Sequence, residues 1–209
     1  AEETAITVGE QEATATAEAA TTKAIADDAQ RDLDEALPAL DQAVASLKSL
    51  KKEDITEVKQ FSDPPGGVKM VMEAVCIMFS VKPKMEQDPD KPGKKIANYW
   101  AVTGQLLVSP AKFLDSLFQY DKENIPASVI SKIQPYIDNE AFTPAAISKV
   151  SQACTAICSW VRAMHKYYNV ARMVEPKRKA LAEANASLQI TMKQLAKAKN
   201  QLQEVTESI

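Results

Sequence analysis

The chain has 209 residues, of which 45% are hydrophobic and 25% are charged, and its formal net charge at pH 7 is -3. Its apolar runs are shorter than the roughly 20 residues that a transmembrane helix needs, and its first residues lack the basic and apolar regions of a signal peptide. The 3 cysteines have no framework spacing, which is typical of a reducing compartment. Both ends look like cuts through continuing helices.

The sequence predicts a helical protein with two long arms and a central head. The chain has only 5 glycines, and the β-branched alternation that is typical of strands is missing, so we predict an all-α protein. Two long helical arms, residues 1–50 and 173–209, flank a head of residues 51–172 that is large enough for a modest helical bundle. The expected architecture is an antiparallel two-stranded coiled-coil stalk with this head at one end.

The second arm has the clearer coiled-coil pattern. From Leu181, apolar residues fall seven positions apart, and a second set follows each of them after three residues. The first arm shows this spacing only near the head, and upstream of Ala29 its apolar residues are almost all alanine, so its register is weakly specified. The positions are Leu181, Leu188, Leu195, Leu202 and Ile209 with Ala184, Thr191, Ala198 and Val205 in the second arm, and Leu33, Leu37, Leu40, Val44 and Leu47 in the first.

Charge gives the arms a reason to pair. Residues 1–50 contain 3 basic and 11 acidic residues, whereas residues 173–209 contain 6 basic and 4 acidic residues. An acidic helix and a slightly basic helix attract each other across the flanking positions, and two parallel copies of the acidic arm would repel each other. The acidic first arm also argues against binding to an anionic membrane surface.

Helix breakers divide the head into segments. The run Asp63-Pro64-Pro65-Gly66-Gly67 separates two predicted helices. Residues 80–97 are rich in proline and lysine and predict an exposed loop or flap. Helices are predicted over 51–61, 68–79, from Tyr99, over 111–120, over 126–137, and from the Thr143-Pro144 pair into the second arm.

The head contains little that suggests catalysis. Cys154 and Cys158 lie one helical turn apart with His165 beyond them, which would fit a metal site or a thiol catalyst. The chain has 1 histidine, no evident acid or base orients it, and the cysteines continue an apolar stripe, so we interpret them as core residues. No GxxxxGK[ST] loop is present, so we assign no nucleotide site. The aromatic residues Trp100, Phe113, Phe118 and Trp160 are also interpreted as core.

Several motifs stand in a fixed order. They are Lys51-Lys52-Glu53-Asp54-Ile55 with Pro64-Pro65, Ser151-Gln152-Ala153-Cys154 with Trp160-Val161, and Val174-Glu175-Pro176-Lys177-Arg178. Together with one proline in each arm, Pro38 and Pro176, these motifs resemble the stalk and microtubule-binding head of dynein heavy chains. The runs Asn98-Tyr99-Trp100, Tyr120-Asp121-Lys122-Glu123-Asn124-Ile125-Pro126 and Lys132-Ile133-Gln134-Pro135-Tyr136 are closer to axonemal than to cytoplasmic members.

The resemblance implies a globular bundle of about six helices that caps the stalk, with Pro38 and Pro176 at the stalk–head junction. It implies the microtubule-binding domain and distal stalk of an axonemal dynein motor, in the cytoplasmic cytoskeleton of a cilium or flagellum. The implied partner is α/β-tubulin, with no nucleic acid and no membrane, and the fragment is expected to be monomeric. It would be no enzyme and hold no metal or cofactor, because ATP and Mg belong to the motor ring of the parent ATPase.

The resemblance also indicates contact residues. Lys51 falls on a family lysine at the start of the first helix of the head, and Lys52 and Lys59 keep basic charge nearby. Lys149 stands where cytoplasmic members have an arginine at the start of the final helix. Because tubulin is acidic, these lysines should dominate the contact, and salt should weaken it. The chain departs from the family at Ala145, which replaces a glutamate, and at Gly104 and Ser109, which replace basic residues of cytoplasmic dynein.

The coiled-coil register and the flap are both expected to affect binding, and a second class of function stays open. If the arms pair in more than one register, sliding would shift the helix of Lys51 relative to the helix of Lys149 and change affinity. The flap between Ser80 and Ala97 is expected to touch a neighbouring protofilament. The alternative is a non-motor helical coiled-coil adaptor or tether, which would explain the arms but not the motifs of the head.

Overall fold

The computed structural model describes residues 2–208, and it is mostly helical. Two long helices, α1 (Glu2–Lys48) and α8 (Gln152–Glu207), enclose the other elements in the sequence. No helix in residues 2–208 combines the length and apolar character that a bilayer crossing requires. The shorter elements are α2 (Lys52–Lys59), α3 (Gly66–Met78), β1 (Lys84–Gln87), β2 (Lys95–Asn98), α4 (Trp100–Leu106), α5 (Pro110–Phe118), α6 (Ala127–Ile137) and α7 (Pro144–Ile147).

The chain forms two compact units. The coiled-coil unit consists of the segment that ends at Glu35 and the segment that begins at Val170, and the globular unit consists of residues 36–169. Both long helices therefore contribute residues to both units. The predicted fold class, all-α with two long paired helices and a small globular region of about six helices, is confirmed.

The seam of α8 in the coiled-coil unit follows the predicted heptads. Leu195 is buried and Leu181 and Leu188 are half-buried, whereas Val205 is exposed and Ile209 lies outside the described residues. On α1, small or polar residues occupy the facing seam, and the buried positions again fall seven apart. These are Val8, Ala15, Thr22 and Ala29.

An apolar cluster of Val8, Ala15 and Leu195 fixes the direction of pairing in the coiled-coil unit, because an early residue of α1 meets a late residue of α8. Ala198 and Leu202 pack against this cluster. The two helices are therefore antiparallel. A seam that offers alanine and threonine against leucine fills less volume than leucine against leucine, so it discriminates weakly between neighbouring registers.

The core of the globular unit is formed by α3 and the first turns of α8. Trp160 is fully buried and packs with Phe79 and Tyr120, whose ring centroids lie 6.1 and 5.1 Å from it. Phe113 is buried as predicted, but the prediction for Phe118 is wrong, since this side chain is 42% exposed. In α5 the residues Phe113 and Leu117, four positions apart, share the buried face, and position 118 falls beside that face.

The flap contains a hairpin that the sequence pattern does not reveal. Strands β1 and β2 pair antiparallel, with Lys84 opposite Asn98 and Gln87 opposite Lys95. Neither strand has a buried residue, so the alternation of apolar and polar residues that reveals a half-buried strand is absent. The turn between the strands includes Gly93 with φ of +83°, a conformation that glycine adopts without a steric penalty.

Candidate functional site

Helix α2 and the residue directly before it carry three of the four predicted contact lysines. Its short apolar face is formed by Ile55 and Val58, which are 0% and 2% exposed. Lys51, Lys52 and Lys59 are exposed. Lys51 is the extended residue before the first turn, and Lys52 and Lys59 lie at the edge of the face of Ile55 and Val58, where long side chains reach solvent. The residue before α2 and the edge of its apolar face therefore present basic side chains to solvent.

The start of α2 is fixed by its own residues. The backbone N–H of Lys51 donates to Asp54 Oδ2 at 2.8 Å, and the backbone N–H of Asp54 donates to the carbonyl of Lys51 at 3.1 Å. The acidic residues Glu53 and Asp54 lie in the first turn, where the helix dipole favours negative charge. The orientation of the Lys51 backbone is thus defined although its side chain is free in solvent.

The end of α2 is near the connection between α4 and α5. Helix α2 packs against α5, and Lys59 Nζ lies 3.5 Å from the carbonyl oxygen of Val108. This long contact is weak and exposed, so it leaves the charge of Lys59 available. Gly104 and Ser109, which the resemblance assigns to basic positions of cytoplasmic dynein, lie in the same α4–α5 region.

Lys149 lies in the turn between α7 and α8. Helix α7 begins with a cap, in which the Thr143 hydroxyl accepts a hydrogen bond from the N–H of Ala146. The N–H of Val150 then donates to the carbonyl of Ile147 at 2.9 Å and closes the turn. Lys149 is exposed in this turn. Because α8 begins at Gln152, Lys149 precedes the final helix, whereas the resemblance predicts it at the start of that helix.

Close packing holds this turn against α3. A Cβ at Gly67 would lie 3.1 Å from Val150 Cγ2 and 3.2 Å from Ile147 Cδ1. Glycine therefore permits the first turn of α3 to approach the turn of Lys149 more closely than alanine would. The backbone position of Lys149 is set by this contact.

Arg162 links α8 to the end of α6. Its Nη1 donates to the carbonyl of Ile137 at 3.1 Å and to the carbonyl of Phe142 at 2.8 Å. Ile137 is the last residue of α6, where the helix dipole favours a cation. One guanidinium group therefore satisfies two carbonyls on either side of the α6–α7 connection.

Two tyrosines in the interior of the globular unit form hydrogen bonds that stabilise the fold. Tyr136 donates to Glu73 Oε2 at 2.9 Å, and burial first and this hydrogen bond second raise the pKa of Tyr136. Tyr120 donates to the carbonyl of Met78 at 2.8 Å, and burial raises the pKa of Tyr120 to about 12. Both tyrosines are therefore neutral hydrogen-bond donors at physiological pH.

The cysteines and the histidine are also enclosed. Cys154 and Cys158 are fully buried, and burial raises their pKa to about 11 and about 12. Their interpretation as core residues is confirmed. His165 Nε2 lies 2.7 Å from Gln134 Oε1, and burial lowers the pKa of His165. Among residues 2–208, no group of three or more His, Cys, Asp or Glu side chains is arranged to hold a metal ion.

The predicted contact lysines share one electrostatic property. In the part of the chain that the structure describes, none of the Nζ atoms of Lys51, Lys52, Lys59 and Lys149 lies within 4.0 Å of a carboxylate oxygen. Lys52 and Lys59 lie on α2 and Lys51 directly precedes it, and Lys149 lies on the α7–α8 turn. The arrangement can attract and hold an acidic surface, and these lysines bring no buried acid, base or nucleophile with them.

The two prolines of the resemblance lie inside continuous helices. Pro38 is in α1 and Pro176 is in α8. Each removes a backbone donor from its helix. In sequence, both are close to the boundaries of the two compact units, and their role at a junction stays a prediction.

An ion-pair cluster in the coiled-coil unit was not found by sequence reasoning. Lys177 Nζ lies 2.7 Å from Asp28 Oδ2 and 2.5 Å from Asp32 Oδ2. Hydrogen bonds from Lys177 are the largest cause that lowers the pKa of Asp28, and Asp28 followed by Asp32 raises the pKa of Lys177. The sequence contained a signal for this cluster, because Lys177 lies four residues before Leu181, at a seam position of the basic arm, and the other arm is acidic.

Comparison with known proteins agrees with this geometry. The family model "Microtubule-binding stalk of dynein motor" matches residues 1–209. Dynein axonemal heavy chain 1 of Homo sapiens is 56% identical over 209 residues, which are 100% of this chain and 5% of that protein. Dynein axonemal heavy chain 3 of Mus musculus is 47% identical over 182 residues, which are 87% of this chain and 4% of that protein.

A solved structure gives the same result. The "Microtubule Binding Domain of DYNEIN-C" matches with a TM-score of 0.60 and 46% sequence identity, and the match covers 71% of this chain and 95% of that one. The chain spans about 5% of the length of the first curated relatives that it matches. The full-length family match favours the dynein interpretation over an adaptor or tether.

Axonemal dynein heavy chains are cytoskeletal components of the axoneme of a cilium or flagellum. The two paired long helices, the small helical unit and the comparisons all lead to one conclusion. The chain belongs to the family of microtubule-binding stalk domains of dynein motors, and it is the stalk domain of an axonemal dynein heavy chain.

Proposed function

We propose that the globular unit binds the acidic surface of the α/β-tubulin dimer through Lys51, Lys52, Lys59 and Lys149. The observation that carries this proposal is that all four side chains are exposed, with no carboxylate within 4.0 Å in residues 2–208. A lysine that already has an acidic neighbour would lose that partner on binding, whereas these lysines have no ion pair to lose, and Lys59 has only a long contact with the carbonyl of Val108. Long-range attraction would speed the encounter, and salt would weaken it.

The affinity of this contact would depend on the register of the coiled coil. The seam of α8 is mostly apolar, whereas the facing seam of α1 contains alanine, threonine and the Oε1 of Gln11, a buried oxygen without a hydrogen-bond partner among the described residues. Such a seam favours one register only weakly. A ten-fold change in affinity between registers needs a difference of only about 1.4 kcal/mol.

Linkage makes this coupling reciprocal, so that a change of register alters binding and binding alters the register. In the parent motor, ATP and Mg would act on the register from the ring, outside these residues. The chain supplies both helices of its own coiled coil, and we therefore propose that the fragment is monomeric. Pro38 and Pro176 would mark the junction through which the register is transmitted.

The hairpin of the flap would add a second contact. Its exposed lysines, such as Lys91, Lys94 and Lys95, would face a neighbouring protofilament. Replacing residues 84–98 with a short Gly-Ser linker should then reduce binding to intact microtubules. Binding that stays unchanged at every salt concentration would remove the flap from the proposal.

The main test is co-sedimentation with microtubules across a salt series. The variant Lys51→Glu, Lys149→Glu should lose on the order of ten-fold or more in affinity at low salt, and less at high salt. The matched control is Lys132→Glu, Lys166→Glu, which changes the charge equally at two exposed positions outside the proposed surface. Equal losses in both variants would indicate non-specific attraction and contradict the assigned surface.

A further inference from the structure

We propose that Lys177, held between Asp28 and Asp32, selects the register of the coiled coil and provides two alternative stops one helical turn to either side. This inference rests on the register-dependent affinity proposed above and names the residues that set it. All three residues belong to the coiled-coil unit.

Lys177 occupies a seam position. It lies three residues after Val174, which is 0% exposed, and four before the half-buried Leu181. The side chains of Lys177 and Asp32 are 31% and 23% exposed, so water reaches this pair only in part. A charged pair at a seam position costs stability in comparison with apolar packing, and its best-attested role in coiled coils is to specify register.

The spacing of the aspartates determines what happens when the helices slide. Asp28 and Asp32 lie four residues apart on α1 and contact the same Nζ. If α1 moves by one turn in one direction, Asp28 takes the place of Asp32. If it moves by one turn in the other direction, Asp32 takes the place of Asp28. Either one-turn slide therefore keeps one of the two ion pairs.

The other polar contacts of this unit do not have this property. Lys199 pairs with Glu12, and the Thr191 hydroxyl donates to Glu18 Oε2 at 2.9 Å. One turn from Glu12 the chain has Val8 and Thr16, and one turn from Glu18 it has Thr14 and Thr22. A slide by one turn would therefore break both charged contacts without replacement. These two contacts favour the present register, whereas the ion pairs of Lys177 also stabilise the two neighbouring registers.

Two matched substitutions should have opposite effects. Asp32→Asn removes one ion pair from the present register but none from the neighbouring register in which Asp28 takes the place of Asp32. The population of that neighbouring register should therefore rise relative to the present one. Asp28→Asn leaves Asp32 and favours the other neighbour. Each shift should be on the order of three-fold in the ratio of registers, within the range for partly exposed ion pairs. Asp27→Asn is the control, because Asp27 pairs with Lys23 on its own helix.

The registers can be counted by disulfide cross-linking in solution. Ala15 and Leu195 share one cluster in the present register, so the pair Ala15→Cys, Leu195→Cys reports it. Gln11→Cys and Ala19→Cys, each with Leu195→Cys, report the two neighbours. Asp32→Asn should raise the cross-linked fraction of the position-11 pair, Asp28→Asn that of the position-19 pair, and Asp27→Asn neither. The buried native cysteines react slowly, and circular dichroism verifies that each variant is helical.

The outcomes separate this inference from the proposed function. Opposite shifts of the cross-links support the role of Lys177 even if the oxidised proteins bind microtubules equally, a result that would refute only the register-dependent affinity. Equal cross-linking in Asp28→Asn, Asp32→Asn and Asp27→Asn would overturn the role of Lys177. Shifts of both variants in the same direction would also overturn it, because they would indicate a general effect of removing charge.

Discussion

Replacing Arg162 with methionine should destabilise the globular unit by about 3 kcal/mol. Arg162 donates two hydrogen bonds from one nitrogen, at 3.1 and 2.8 Å, to the carbonyls of Ile137 and Phe142. Hydrogen bonds from a charged group contribute about 1.5 to 3 kcal/mol each, and the partial exposure of this side chain places both at the lower end. Methionine keeps much of the side-chain volume, so the loss reports the hydrogen bonds.

The assay is equilibrium unfolding in urea, followed by fluorescence of the buried Trp160. Arg162→Lys, which keeps the charge but loses the fork of donors, should cost about half as much. Arg172→Met on the same helix removes the same charge from an exposed position and should cost less than about 0.5 kcal/mol. A loss below that value for Arg162→Met would refute the assignment of Arg162 as the link between α6 and α8.

Two further predictions concern buried polar groups of the globular unit. Tyr136→Phe should cost about 1.5 to 3 kcal/mol, because Glu73 loses its donor, whereas Tyr120→Phe should cost about 1 kcal/mol, because its partner is the neutral carbonyl of Met78; equal losses in urea unfolding would contradict this order. Burial lowers the pKa of His165 below 6.5, so the unfolded chain takes up a proton first and the free energy of unfolding should fall as the pH decreases through 6.5. His165→Gln should remove this part of the pH dependence, and an unchanged pH profile would contradict the assignment.

The sequence predicted the elements whose signal is long and periodic. The heptads of α8 extend from Leu181 to Leu202, and at each turn the structure places them at the seam. The run from Val68 to Phe79 is apolar almost throughout, and it forms the buried helix α3. In both segments local propensity and burial favour a helix, so the sequence pattern is sufficient to predict the element.

The sequence failed where a local pattern competes with tertiary contacts. The hairpin of the flap has exposed strands, so burial leaves no alternation to read. Phe118 is apolar but lies beside the face that Phe113 and Leu117 occupy, because the direction of α5 is set by its neighbours. Lys177 was counted as part of a motif, and its partners are more than 140 residues away in the sequence. Pairing at that separation is a property of the register, which the weak seam of α1 does not determine.

Among the predicted contact lysines, some positions follow from the local sequence and one depends on tertiary contacts. Lys51, Lys52 and Lys59 are exposed because Lys51 precedes the first turn of α2 and because Lys52 and Lys59 lie at the edge of the apolar face of Ile55 and Val58, where long side chains reach solvent. The position of Lys149 depends on a cap at Thr143 and on the contact of Gly67 with Val150. Composition and periodicity contain no information on that contact. The resemblance named the residue, and the structure shows what holds its backbone.

Electron cryomicroscopy of microtubules decorated with this chain would show whether α2 and the α7–α8 turn face tubulin. We expect Lys51, Lys52, Lys59 and Lys149 to lie within about 4 Å of tubulin carboxylates, the distance of an ion pair. We also expect α6, with Lys132, to face away from the filament. A decorated filament in which α6 lies against tubulin and α2 faces solvent would refute the proposed binding surface.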